Sequence, residues 1–124
     1  MVTVLFLMIL CHIIDDFVLQ PVCLSNLKQK SWWDKHCDGK QYKNDYKVAL
    51  FIHSLSWSIM IHLPIILLYV CNGWVLSFSI LINMIIHYIV DDLNANKYKI
   101  NLVIDQTIHF IQIILTFIII FIVL

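Results

Sequence analysis

Charge is what this chain has least of. Only 13% of its 124 residues are charged, against 61% hydrophobic, whereas about a quarter of a soluble domain is charged. That balance excludes an ordinary water-soluble fold. Arginine is absent: all eight basic residues are Lys, and none lies inside an apolar segment. The N-terminus lacks both the basic flank and the small-residue cleavage site of a signal peptide. It runs directly into His12, Asp15 and Asp16, and is read as a retained span. The cysteines Cys11, Cys23, Cys37 and Cys71 show no C-x2-C spacing and are read as reduced, apolar side chains. Cys23 follows Pro21 and Val22, a poor context for lipid attachment. The chain also lacks a sustained internal repeat.

What is present is four apolar stretches long enough to cross a bilayer: Val2 to about Gln20, Lys47 to about Val70, Trp74 to about Leu93, and Ile100 to Leu124. They predict one all-α membrane domain, a bundle of four antiparallel transmembrane helices. Pro21 ends the first span, because proline cannot continue the hydrogen-bond ladder, and Pro64 is expected to kink the second. Residues 21–46 read as a solvated, Lys-rich loop with Trp32 and Trp33 as an interfacial anchor. Cys71, Asn72 and Gly73 form a tight turn, and Asp92 to Asn101 a short polar loop. Every Lys lies in or beside the first or third connection. The positive-inside rule therefore places both connections in the cytoplasm and both termini outside, as in a multi-pass protein of the inner membrane.

The polar residues inside these spans are periodic. His12, Asp16 and Gln20 follow i, i+4, i+8, as do Asn83, His87 and Asp91, while Asp105, His109, Gln112 and Thr116 follow i, i+4, i+7, i+11. Asp15 points away from its stripe, toward the interface or a neighbouring helix. The second span offers His53 and His62, which nine residues place about half a turn apart; His53 is the one expected to face the other stripes. An Asp at the centre of a membrane helix costs about 2.5–3.5 kcal/mol, so such residues tend to mark ion pathways, relays or metal sites. With alternating helices, His12, Asp16, His53, His87, Asp91, Asp105 and His109 reach one depth near the cytoplasmic interface.

Imidazole with carboxylate suits zinc first, and also manganese, iron or nickel. Seven candidate ligands exceed the four of a tetrahedral centre. The expectation is therefore one or two divalent ions, with some carboxylates orienting ligand imidazoles instead of binding. Gln20, Asn83, Gln106 and Gln112 are expected to support the ligands by hydrogen bonding. His36 reads as a surface residue, His62 as a packing or hydrogen-bonding one. The serines around Trp57 read as back-bonding or helix-packing groups.

The combination His12-x3-Asp16-Phe17-x2-Gln20, His53, His87-x3-Asp91 and Asp105-Gln106-x2-His109 resembles a family of small integral membrane proteins of bacteria and their phages, described only as a domain of unknown function. More loosely it is similar to inner-membrane proteins labelled membrane-bound metal-dependent hydrolases. Members of the family often carry a Lys one turn past the second H-x3-D, where this chain has Asn94.

The leading expectation is a metal-dependent hydrolase embedded in the membrane, acting on a lipid-like or interfacial substrate. A His/Asp-bound metal would activate water, and Asp16 or Asp105 would serve as general base. A metal or proton transporter subunit, completed by a homodimer, is the alternative from another class, and a small interaction protein with a structural metal is a third. The bilayer is the expected partner; nucleic acid is not.

Overall fold

A computed structural model describes residues 1–20, 22–37, 39–69 and 72–123. Among these residues the fold is all-helical, with six α-helices: α1 (Val2–Ile14), α2 (Val22–Leu27), α3 (Lys30–His36), α4 (Asp45–Leu68), α5 (Gly73–Ala95) and α6 (Leu102–Val123). Four segments are long and apolar enough to cross a membrane: Val2–Leu19, Lys40–Leu68, Gly73–Ala95 and Leu102–Ile122. α1 packs on α4 and α6, and α5 packs on the same two helices, so the four long helices enclose one interior.

Local chemistry sets the ends of these elements. α1 does not stop at Ile14 but widens into a π-turn over Asp15–Leu19, a distortion common at functional sites. Gln20 then turns extended (φ −84°, ψ 93°), as the residue ahead of a proline does; Pro21, the expected stop, lies outside the described residues. Asn72 caps α5 by accepting from the Trp74 amide at 3.0 Å, and Asn101 caps α6 by accepting from Ile104 at 3.0 Å. Of the expected turn at 71–73, Cys71 is outside the described residues and Gly73 already belongs to the helix. α4 continues past Pro64 to Leu68.

The first connection departs from expectation. It is not a plain solvated loop but folds into α2, α3 and a 3-10 turn, Lys40–Tyr42. Trp33 does not act only as an interfacial anchor: its Nε1 donates to the Leu27 carbonyl at 2.8 Å and its ring stacks on Tyr42, closing the segment on itself. Trp32 stacks on the exposed His36.

The burial pattern is inverted relative to a soluble domain. Val4, Met8, Trp57, Ile61, Ile65, Ile113 and Ile120 form an apolar core cluster, yet the interior also holds His12, Asp15, His53, His87, Asp91, Asp105 and His109. The outside is lined with exposed Ile, Leu, Val and Phe. Contiguous apolar surface of this kind marks an interaction with apolar surroundings, and with the four long helices it gives the chain the character of a membrane protein.

Candidate metal centre

Helix spacing and helix crossing together build the polar cluster. On α5, His87 and Asp91 are one turn apart, with Asp91 Oδ1 3.5 Å from His87 Nε2. The same oxygen lies 3.4 Å from His109 Nε2 on α6, and Asp91 Oδ2 lies 3.5 Å from His53 Nε2 on α4. Asp91 thus faces imidazoles from three helices. From the far side, Asp16 Oδ1 approaches His53 Nε2 to 3.5 Å. Asp15 reaches the neighbouring α4 as well: its Oδ1 accepts from Ser56 Oγ at 2.7 Å, and its Oδ2 is 3.8 Å from His53 Nδ1. Trp57 stacks on His87 (centroids 4.2 Å apart) and His87 on His109 (4.1 Å), a column that holds two imidazoles by packing.

Five of the seven expected ligands converge. Among the described residues, two sets of three side chains offer ligand atoms all within 4.8 Å of one another: Asp16, His53 and His87, and His87, Asp91 and His109. His87 belongs to both. His12 and Asp105 stand outside these sets, each for a visible reason. Trp57 Nε1 donates to His12 Nδ1 at 2.8 Å, so a neutral His12 ring carries its proton on Nε2 and has no lone pair there for a metal. Asp105 Oδ1 sits 3.7 Å from His109 Nε2, at the edge of the cluster. Gln106 joins the acids: its Nε2 donates to Asp105 Oδ2 at 3.2 Å and to Asp16 Oδ2 at 3.3 Å.

The donor set fits a divalent cation. Asp16 Oδ1, Asp105 Oδ1 and both ring nitrogens of His87 and of His109 are buried without a hydrogen-bond partner among the described residues. Leaving one such group unsatisfied costs about 1–3 kcal/mol, and coordination would relieve Asp16 Oδ1 and the lone-pair nitrogen of each of the two rings. The cluster opens on a pocket of about 240 Å³ whose walls include Asp16, Gln20, Lys28, His53, Asp91 and Asp105.

Sequence reasoning missed Lys28. Counted among the loop lysines as a topology signal, it is buried instead, and its Nζ donates to Asp91 Oδ2 at 2.7 Å and to Gln20 Oε1 at 3.3 Å. Asn96, just past α5, holds it there. The Asn96 side chain accepts from the Lys30 amide at 2.7 Å and donates to the Lys28 carbonyl at 3.1 Å, while Asp92 Oδ1 accepts from the same Asn96 nitrogen at 2.9 Å. Nothing in the spacing of the five lysines distinguishes Lys28, since its burial follows from this tertiary clamp.

The deeper polar residues make a separate layer. Gln112 Nε2 donates to Asn83 Oδ1 and to the Asn83 carbonyl, both at 2.8 Å, and Asn83 Nδ2 donates to Thr116 Oγ1 at 2.9 Å. Among the described residues, Asn83 and Gln112 make no hydrogen bond to the His/Asp cluster, contrary to the supporting role expected of them. His62 faces this region, with Nδ1 on the Ser58 carbonyl at 2.7 Å and Nε2 on Ser79 Oγ at 2.8 Å, so both of its nitrogens are engaged. Ser54 back-bonds to the Leu50 carbonyl at 2.7 Å.

No curated protein and no solved structure matches the chain. A family model does match, over residues 4–124, nearly the whole sequence and every residue of the cluster, and its description is protein of unknown function (DUF3307); it carries no reference to hydrolysis. The chain belongs to that family.

Proposed function

We propose that this protein is a four-pass inner-membrane metalloprotein, its long helices alternating in direction, that hydrolyses a lipid-like or interfacial substrate. The observation that carries this reading is the pair of ligand sets sharing the buried His87, with Asp16, His53 and Asp91 of those sets lining an open pocket. Asp16, His53 and His87 would hold one ion, and His87, Asp91 and His109 the same or a second one, zinc being the best fit to a buried imidazole-carboxylate set. A bound divalent ion supplies a Lewis acid and lowers the pKa of coordinated water. The chain's own residues supply the rest. Asp105, outside both ligand sets, lining the pocket and with its buried Oδ1 unpaired among the described residues, is placed to accept a proton. Gln106 holds Asp105 and Asp16 in fixed relation. The apolar cluster of Val4, Met8, Trp57, Ile61 and Ile65 fills the interior and weighs against a permeation path, and so against the transporter reading.

Elemental analysis of the purified protein tests the metal. One or two equivalents of zinc, manganese, iron or nickel per chain are expected; protein that stays metal-free after reconstitution with all four would overturn the proposal. The orientation is tested separately with cysteines already present, since Cys23 is exposed in the first connection. With Cys11, Cys37 and Cys71 replaced by Ser, a membrane-impermeant maleimide should label Cys23 only after the cells are permeabilised. Labelling in intact cells would invert the topology.

A further inference from the structure

Asp15 is the most deeply buried carboxylate among the described residues, 2% exposed, and it belongs to neither ligand set. It is the first residue of the π-turn, and both of its oxygens are turned to α4. Oδ1 is held by the Ser56 hydroxyl at 2.7 Å. Oδ2 is buried with no hydrogen-bond donor among the described residues, and it lies 3.8 Å from His53 Nδ1. A buried carboxylate oxygen without a donor is uncommon and calls for a reason.

The other nitrogen of the same ring looks toward the cluster. His53 Nε2 is 3.5 Å from Asp16 Oδ1 and 3.5 Å from Asp91 Oδ2, an acid of each ligand set. A neutral imidazole carries one proton, so a ring that gives the Nε2 lone pair to a metal carries that proton on Nδ1. Nδ1 then needs an acceptor, and Asp15 Oδ2 is the oxygen that faces it. At 3.8 Å this is an approach and not a hydrogen bond; the assignment follows from what each nitrogen faces. His12 is the opposite case within the same cluster, since Trp57 donates to its Nδ1 and leaves the proton on Nε2.

We infer that Asp15 is the positioning residue for His53: fixed by Ser56 through one oxygen, it accepts the Nδ1 proton through the other and so presents Nε2 to the ion. A carboxylate behind a ligand imidazole fixes its tautomer and orientation and raises its basicity. This role rests on the metal reading proposed above, and the test separates the two.

The full chain is used in detergent micelles, with zinc as the probe and the histidine rings labelled with 15N. In the zinc-loaded wild type the His53 ring should carry its proton on Nδ1, the resonance being assigned by its loss in His53→Gln. Chelator competition gives the affinity. Asp15→Leu should weaken zinc binding about 10- to 100-fold while binding the same number of ions at saturation. Asp15→Leu combined with Ser56→Ala, which leaves no polar group orphaned at this position, should do the same if the single variant fails to fold. Ser56→Ala alone keeps Oδ2 and should weaken binding far less. A proton on His53 Nε2 in the loaded protein overturns the inference, and so does an Asp15→Leu protein that binds zinc as tightly as Ser56→Ala does. Loss of a whole equivalent of zinc in Asp15→Leu overturns it too, because Asp15 would then be a ligand itself. Wild-type protein that takes up no zinc is a different result, seen before any variant is made, and it removes the metal reading together with this role.

Discussion

Replacing His87 should strip the protein of every bound ion, whereas replacing His53 or His109 should lower the metal content without abolishing it. The difference follows from membership: His53 belongs to one ligand set, His109 to the other, and His87 to both. Loss of a group that merely orients a ligand commonly weakens metal binding about 10- to 100-fold, and loss of the shared ligand should exceed that. His87 is also fully buried in the Trp57–His87–His109 column, so His87→Ala would leave a hole and could fail for reasons of packing. His87→Phe separates the two effects. It keeps an aromatic ring between Trp57 and His109 but offers no lone pair, so it should fold with native Trp fluorescence and retain no metal. Elemental stoichiometry with a chelator competition titration gives the measurement. A His87→Phe protein with wild-type metal content would remove both ligand sets as an explanation of the cluster.

The parts of this site that were legible in the sequence are those set by a single helix. His87 and Asp91 lie on one face because four residues make about one turn, and no tertiary knowledge is needed to see it. The choice of His53 over His62 as the residue facing the cluster likewise follows from the angle between them. Legibility ended where another element intervenes. Asp15 was assigned away from the His12–Asp16 stripe on the assumption of a regular helix. Asp15 does reach the neighbouring α4, as one of the two expected directions had it, but the π-turn over Asp15–Leu19 lets it and Asp16 both approach His53 there, which a regular helix does not foretell. His12 has the right spacing to ligate, but a donor from another helix, Trp57, takes the Nδ1 lone pair and leaves the proton of the neutral ring on Nε2. Asn83 and Gln112 continue their stripes faithfully, yet find each other across α5 and α6 before they can reach the histidines. A stripe gives direction, and the partner at the end of that direction is decided by the facing helix. The four long helices were recoverable from hydropathy to within a few residues, because twenty apolar residues in a row have few alternatives. The folded first connection was not, since α2 and α3 are too short to be stable alone and exist through Trp33, Tyr42 and the Asn96 clamp.

Lys28 should be worth more to the protein without metal than with it. Its ammonium is the one Lys or Arg cation against Asp91 among the described residues, at 2.7 Å with both side chains about nine-tenths buried. Removing one member of such a pair leaves an uncompensated buried charge and typically costs about 3–5 kcal/mol. Lys28→Met keeps most of the stem's volume and removes only the charge. In metal-free protein it should therefore lower the unfolding free energy by about that amount, measured by reversible denaturation in detergent micelles. Asp91→Asn should recover most of the loss when combined with Lys28→Met, because the double variant buries no charge at this position, and the cycle isolates the pair from the other effects of each substitution. With a divalent ion bound through His87, Asp91 and His109, the carboxylate is compensated from its other oxygen, and the cost of Lys28→Met should shrink to well under half its metal-free value. Equal destabilisation with and without metal would mean that the ion, if bound at all, does not touch Asp91, and would leave Asp16, His53 and His87 as the only ligand set.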